Sequence, residues 1–379
     1  MNDRLFVDIH VIETLPPSCV NRDDLGSPKT AYYGGVTRAR VSSQAWKRAV
    51  RTEFSGMQMD VGKRTRHILN MVTDEISAQA PDIENPEELA KNVIENAGFS
   101  FSAQEKGEEK EEKKEKTNVL FFVSQGQVRE LAEIAVDYGI MKKPEKGCRD
   151  KNKKAQYKEY TEKLKNALKN NNSADIALFG RMLAEDKDLN VNAAAQVAHA
   201  ISTHEVHNEF DYFTAVDDCD PNEGAGHLGT AEFNSSTMYR YATVNGLELN
   251  QTLGVQTPCV IRAFVEAFIR SMPTGKQNSF ANRVRPDAVC VTVRRDQPVN
   301  LVGAFEKPIH AGKDGYVEKS IERLVRYAQE TYDDYYGKPE LSLVIGGGME
   351  DLGEKRTLPA LLDELEQYLS KTMPGKEQE

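Results

Sequence analysis

Tryptophan occurs once in this chain, at Trp46, and cysteine five times in 379 residues, at Cys19, Cys148, Cys219, Cys259 and Cys290. The cysteines are odd in number, scattered and without a C-x-x-C pair, which argues against a disulfide framework and a cysteine zinc site and fits a reducing compartment. Basic residues are outnumbered, 49 Lys and Arg against 59 Asp and Glu, for a formal net charge of -10. That balance excludes a uniformly basic nucleic-acid surface, because polyanions are held by cations that replace condensed counterions. The N-terminus lacks the basic, apolar and small-residue succession of a signal peptide, and no run approaches the length of a membrane span. A cytoplasmic protein with no membrane partner is expected. What is present, 39% hydrophobic and 28% charged residues, suffices for one large core or two ordinary ones.

Leu5, Val7, Ile9 and Val11 alternate with Phe6, Asp8 and His10, the period of a strand with two unlike faces. Asn21 to Gly35 is rich in Gly, Pro, Asp and Asn and reads as loop. Ser42 and Ser43 then supply N-cap residues for a helix reaching about Phe54, with Trp46, Ala49, Val50 and Phe54 on its apolar side. Helical spacing follows at Arg66 to Ala80, at the helix opened by Asn85-Pro86 and closed by Gly98, and at Val128 to Tyr138, Tyr157 to Leu168 and Ala174 to Met182. Glu105 to Lys116 is almost wholly Glu and Lys and reads as a surface excursion. Strand-like runs return at Ser235 to Asn245, Asp287 to Arg295 and Glu340 to Ile345. Between them lie amphipathic helices marked by Ile261, Phe264, Val265 and Phe268, and by Ile321, Leu324, Val325 and Ala328. Strands at both ends with helices between, and no βα alternation, predict an α+β fold: an antiparallel sheet interrupted by a helical insertion.

Within the acidic whole, Gly34 to Thr52 carries Arg38, Arg40, Lys47, Arg48 and Arg51 and no acid. Its helix start offers Ser hydroxyls and open backbone N–H groups at the positive end of the helix dipole, a ready anion site. Lys47 and Arg51, at i and i+4, repel unless an anion lies between them, so a polyanion competes with the plainer reading of a solvated basic face. Asp23 and Asp24 in N-R-D-D could hold a divalent cation for phosphodiester cleavage, although adjacent acids more often cap loops or pair with cations such as Arg22 or Lys29. His199, His204 and His207 with Glu209 and Asp211 lack the H-E-x-x-H spacing of a zinc site. That stretch, polar and aromatic and ending in G-A-G-H-L-G, reads better as a protruding hairpin. Pro273 to Ala281, with Lys276 and Gln277, is a loop able to touch a nucleic acid. Met182, after Gly180-Arg181, reads by itself as core filling.

Taken together in chain order, C-V-N-R-D-D (19–24), G-G-V-T-R-A-R-V-S-S-Q-A-W-K-R-A-V-R (34–51), D-I-A-L-F-G-R-M (175–182), A-H-A-I-S-T-H-E-V (198–206), D-Y-F-T-A-V-D-D (211–218) and H-L-G-T-A-E-F (227–233) resemble the CasC family, the repeated backbone subunit of the type I-E CRISPR Cascade complex. The resemblance implies an RRM-like (ferredoxin-like) palm over 1–55 and 179–379, helical fingers over 56–178 and a thumb hairpin over 202–233. It implies copies stacked head to tail along a guide RNA (crRNA) through an open heterologous interface, beside other Cascade subunits, for antiviral defence. Target DNA is reached through the guide. By similarity, Ser42, Gln44, Lys47, Arg48 and Arg51 hold guide phosphates, with Asn21, Arg22, Lys29 and Arg38 nearby. Met182 presses on a base, and the thumb, including Thr203, His204 and Leu228, folds over the strand. Lys276 and Gln277 are further candidate contacts. Val36 stands where the family often has a basic residue, which puts that contact in doubt. No cofactor, metal or enzymatic step is implied for this subunit. The contrasting reading is a metal-dependent ribonuclease using Asp23 or Asp24.

Overall fold

A computed structural model describes residues 4–102, 116–145, 148–183, 186–216, 219 and 225–373. Most of the Glu/Lys run and the tip of the expected thumb lie outside them. The chain forms two compact units, one of Met1–Met57, Ala195–Asn250 and Val255–Glu379, the other of Gln58–Ala194 with Gln251–Gly254.

The first unit is built on a sheet whose strands run, in spatial order, Glu354–Lys355, Leu341–Ile345, Ala288–Arg294, Phe6–Ser18, Ala225–Asn245, Ala200–Ser202, Val36–Val41 and Thr30–Tyr33. Every pairing along it is antiparallel except Leu341–Ile345 with Glu354–Lys355. The alternation read from the first strand sets its faces. Val7, Ile9 and Val11, all fully buried, point to one side and Asp8, His10 and Ile12 to the other. The helices Ser43–Gly56 and Thr257–Arg270 pack on each other, Trp46 meeting Phe268 at 6.4 Å between ring centroids. Trp46 also joins Leu15, Val41 and Met238 of the sheet in one buried cluster. The opposite face is covered too, because Ile321, Leu324, Val325 and Ala328 of the helix Val317–Thr331 pack with Ile12, Tyr239, Tyr241 and Cys290. Gly246–Arg270 is long and apolar enough by composition to cross a membrane, contrary to the expectation that no run approaches that length. Here Val260, Ile261, Phe264, Val265 and Phe268 from it are buried core.

The segment read as loop up to Gly35 holds a hairpin, Thr30–Tyr33 paired with Val36–Val41. Its turn residues Gly34 and Gly35 have φ of 61° and 83°, the sign that hairpin turns matching strand twist demand. Gly34 has a second constraint, since a Cβ there would lie 1.6 Å from the Glu306 carbonyl oxygen.

Under the helix Val317–Thr331 sits a buried polar row. Asp8 accepts from Tyr241 Oη and from the Val299 N–H, each at 2.9 Å, and His10 Nδ1 lies 2.9 Å from Tyr239 Oη. Burial pushes the Asp8 carboxyl up to about 6 and the His10 imidazole down to about 3. Alone, Asp8 stabilises the fold below its ordinary value of 3.8, a contribution lost as pH rises through about 6. Alone, His10 stabilises above its ordinary value of 6.5, and that contribution is lost as pH falls toward 3. The two slopes oppose across the mildly acidic range. Asp8→Asn is therefore expected to expose the His10 slope, its stability to urea falling relative to the parent's as pH drops from about 6 towards 3.8, by up to about 1.4 kcal/mol per pH unit. Parallel pH profiles for variant and parent would contradict it.

The second unit packs the helices Ile68–Gln79, Pro86–Asn96, Gln125–Tyr138 and Lys151–Lys169 around Leu69, Val72, Val93, Leu131, Tyr160 and Leu164. The two-stranded ribbon Lys63–Thr65 with Phe121–Val123 belongs to it. This unit runs to Ala194, past the expected boundary at 178, for a physical reason. Arg181 pairs with Val191, and its buried guanidinium donates to the Phe122, Leu168 and Leu189 carbonyls. The helix Ala174–Phe179 stops before Met182 because Gly180 turns to a φ of 80°.

Candidate nucleic-acid interface

The first unit gathers most of the expected contact residues at the entrance to the helix Ser43–Gly56. Ser42 is its N-cap: with extended backbone, its Oγ accepts the Ala45 N–H at 3.3 Å. The Ser42 N–H is taken by Asn21 Oδ1 at 2.9 Å, which ties the loop after the first strand to the helix start. Lys29 N–H donates to the Asn21 carbonyl and Arg40 N–H to the Lys29 carbonyl, both at 2.9 Å, closing that loop. Asn21 keeps its amide NH2 and Ser42 its O–H as donors suited to a phosphate.

From this cap, Gln44, Lys47, Arg48 and Arg51 follow at i, i+3, i+4 and i+7, one stripe along the helix bordering the face on which Trp46, Val50 and Phe54 are buried. Gln44 and Arg48 are exposed and Lys47 and Arg51 half-buried, and burial lowers the Lys47 ammonium below the usual lysine range. Loop Pro273–Ala281 comes against the same place. Gly275 lies so close to Val20 that a Cβ would sit 2.3 Å from the Val20 carbonyl oxygen. Lys276 and Arg22 both lower the Cys19 thiol, whose pKa burial raises overall. Gln277, half-buried, follows Lys276, which has a φ of 45°, strain of the kind that a packed loop sustains. Arg40 Nη1 lies 3.2 Å from His199 Nδ1, so this histidine neighbours cations. Among the described residues, no group of His, Cys, Asp and Glu converges to hold a metal. Asp23 Oδ1 accepts the Leu25 and Ser27 N–H groups at 2.9 and 3.0 Å, capping its own loop, and Asp24 is exposed beside it.

The expected thumb is a two-stranded ribbon, Glu209–Val216 paired with the first half of Ala225–Asn245. Opposed pairs Phe210–Glu232, Tyr212–Thr230 and Thr214–Leu228 share one face, on which Phe210, Tyr212 and Leu228 are 67%, 66% and 57% exposed. Leu228 was expected there. Phe210 and Tyr212 were not singled out, although their alternation in E-F-D-Y was the available signal.

Three expected contacts are corrected. Arg38 is fully buried, with its guanidinium donating to the carbonyls of Tyr33, Ser202, Phe305 and Glu306, so it presents nothing to a phosphate. Thr203 is equally buried, its Oγ1 accepting from Ser320 Oγ at 2.9 Å. His204 is buried and stacks on Tyr316 at 3.7 Å between ring centroids. Met182 belongs to the second unit, where it is 87% exposed and not core filling.

Known proteins now frame this arrangement. No curated protein matches the chain. A chain of the solved "CRISPR RNA-guided surveillance complex, pre-nicking" is 35% identical with a TM-score of 0.78, over 96% of this chain and 100% of that one. A chain of a "CRISPR RNA-guided surveillance complex" is 31% identical with a TM-score of 0.68, over 96% of this chain and 99% of that one. The model of the family described as "CT1975-like protein" matches residues 7–368, nearly the whole sequence, and the protein therefore belongs to the CT1975-like family.

Proposed function

We propose that this protein is the repeated guide-RNA-binding backbone subunit of a CRISPR surveillance complex, corresponding to CasC of type I-E Cascade. The observation that carries it is the stripe of Gln44, Lys47, Arg48 and Arg51 running from the Ser42 cap, in a chain 35% identical to one from such a complex. The strand order supports an RRM-like palm: Ala288–Arg294, Phe6–Ser18, Ala225–Asn245 and Ala200–Ser202 stand as fourth, first, third and second strands, with the helices Ser43–Gly56 and Thr257–Arg270 as the two crossovers. Cations and N–H donors grip phosphates without reading sequence, so any guide fits and its bases stay available to target DNA. The exposed ribbon face of Phe210, Tyr212 and Leu228 suits stacking against or wedging between bases. Copies add head to tail, in the cytoplasm, beside other subunits.

The subunit performs no cleavage, which falls to a separate nuclease. Commitment of Asp23 to its own loop supports this reading over a ribonuclease. In the test, the protein is co-expressed with a guide-length RNA and the particle's mass and RNA content are measured. Several copies per RNA are expected, and one copy per RNA contradicts the filament. Incubation with complementary RNA and magnesium is expected to leave that RNA intact. Cleavage that disappears in Asp23→Ala or Asp24→Ala overturns the non-enzymatic role.

A further inference from the structure

We propose that Arg38 and His204 are positioning residues that lock the root of the Glu209–Val216/Ala225–Phe233 ribbon to the strand feeding the phosphate-gripping helix, and so set how many nucleotides one subunit spans. The inference rests on the guide-RNA reading above.

The ribbon leaves the sheet through Thr203–Asn208 and returns through Phe233–Thr237. The outgoing root is pinned from several sides. Arg38 Nη1 donates to the Ser202 carbonyl at 2.9 Å. The Ala39 N–H donates to Ser202 Oγ at 3.0 Å, and that hydroxyl donates to the His204 carbonyl. The Val206 N–H reaches the Thr37 carbonyl at 3.0 Å and the Thr203 N–H the Thr237 carbonyl at 2.8 Å. His204 joins the two roots: Nε2 accepts the Thr237 N–H at 3.0 Å, which puts the ring proton on Nδ1, 2.7 Å from the Glu205 carbonyl. Its ring lies flat on Tyr316, at 11° between planes. On the returning side, Glu232 accepts from Ser27 Oγ at 2.8 Å and from Asn208 Nδ2 at 3.1 Å, so the loop that also carries Asn21 and Arg22 holds the ribbon as well.

Arg38 sits in the strand Val36–Val41, which ends where the Ser42 cap begins. A strand is stiff over so short a run, so whatever fixes Ser202 to Arg38 fixes the ribbon's angle to the stripe that starts at Ser42. Neither side chain is available to a phosphate, since both are buried. Their work is geometric: a ribbon held at one angle meets the bound strand at one repeat.

The complex assembled on a guide-length RNA is probed by nucleotide-resolution chemical modification, with affinity measured over a salt series. The parent is expected to show a periodic reactivity pattern. A parent with RNA but without periodicity refutes the backbone reading itself, separately from the lock. His204→Phe keeps the ring and its stack but removes the acceptor for Thr237, while Arg38→Met removes the guanidinium. Both are expected to hold RNA within about threefold of the parent with an unchanged salt slope, because no phosphate contact is lost, and to blur or shift the periodicity. His204→Gln, which returns an acceptor near the Nε2 position, is expected to restore it. An unchanged pattern in folded His204→Phe overturns the proposal. So does a salt slope smaller by roughly 0.7 to 1, the mark of a direct phosphate contact. If Arg38→Met does not fold, His204→Phe decides.

Discussion

Lys47→Glu with Arg51→Glu is expected to strip guide-length RNA from the protein, weakening binding at least about a hundredfold at physiological salt while leaving the fold intact. The two side chains are half-buried and flank the face of the helix Ser43–Gly56 that carries Trp46, Val50 and Phe54, but none of those three buried side chains is replaced. Neither position lies in the last turn of the helix, where a carboxylate would oppose its dipole, so the cost in stability is small beside a total of about 5–15 kcal/mol. At the RNA, two attractions become two repulsions. Each phosphate contact to a single strand contributes about 0.7 to the salt slope, so the slope is expected to fall by roughly 1.4. Filter binding over a salt series reads the slope, and thermal unfolding checks the fold. Retention of RNA by a folded double variant at moderate salt counts against the grip.

Why this helix was legible from sequence while part of its surroundings was not comes down to range. Ser42 caps Ala45 across three positions, and Trp46, Val50 and Phe54 recur at helical spacing, so sequence neighbours decide the structure. The first strand is similarly local in its alternation, which puts Val7, Ile9 and Val11 on one face, whereas the burial of Asp8 and His10 on the other comes from the distant helix that covers them. Arg38 is the contrary case. Ala39 and Val41 are buried beside it, so alternation alone sends Arg38 outward, and composition counts it with the surface cations. It is buried because the turn Leu301–Phe305, more than two hundred and sixty positions away, covers that face and leaves the Phe305 and Glu306 carbonyls needing donors. His204 is drawn inward the same way, by the Thr237 N–H and the Tyr316 ring. The late boundary of the helical unit has this origin too, since the Arg181 guanidinium serves carbonyls as distant as Phe122. Long polar side chains that satisfy remote backbone groups look, in sequence, like surface charge.

Glu13→Leu is expected to cost about 3–5 kcal/mol of stability, and Arg240→Met a similar amount, while the double variant recovers most of the loss. Glu13 and Arg240 are buried, with Glu13 Oε2 at 2.5 Å from Arg240 Nη1, and Arg240 also donates to the Phe268 carbonyl. The guanidinium lies 3.7 Å from the Trp46 ring centroid and 4.6 Å from that of Phe268. Burial pushes the Glu13 carboxyl up and the Arg240 guanidinium down, the pattern of a pair whose attraction does not offset its dehydration. Removing one partner strands the other charge without water, whereas removing both removes the penalty and forfeits chiefly the ring contacts, about 2 kcal/mol when desolvated. A urea double-mutant cycle should therefore give a coupling larger than about 2 kcal/mol. Additive single effects would show that the pair is not a unit. The functional consequence runs through Trp46: Arg240 stands on the strand that continues into the exposed ribbon, and its stack holds the helix that bears Lys47 and Arg51. The single variants are thus expected to lose RNA at temperatures where the double variant still holds it, because the orientation of the stripe depends on the packing beneath it.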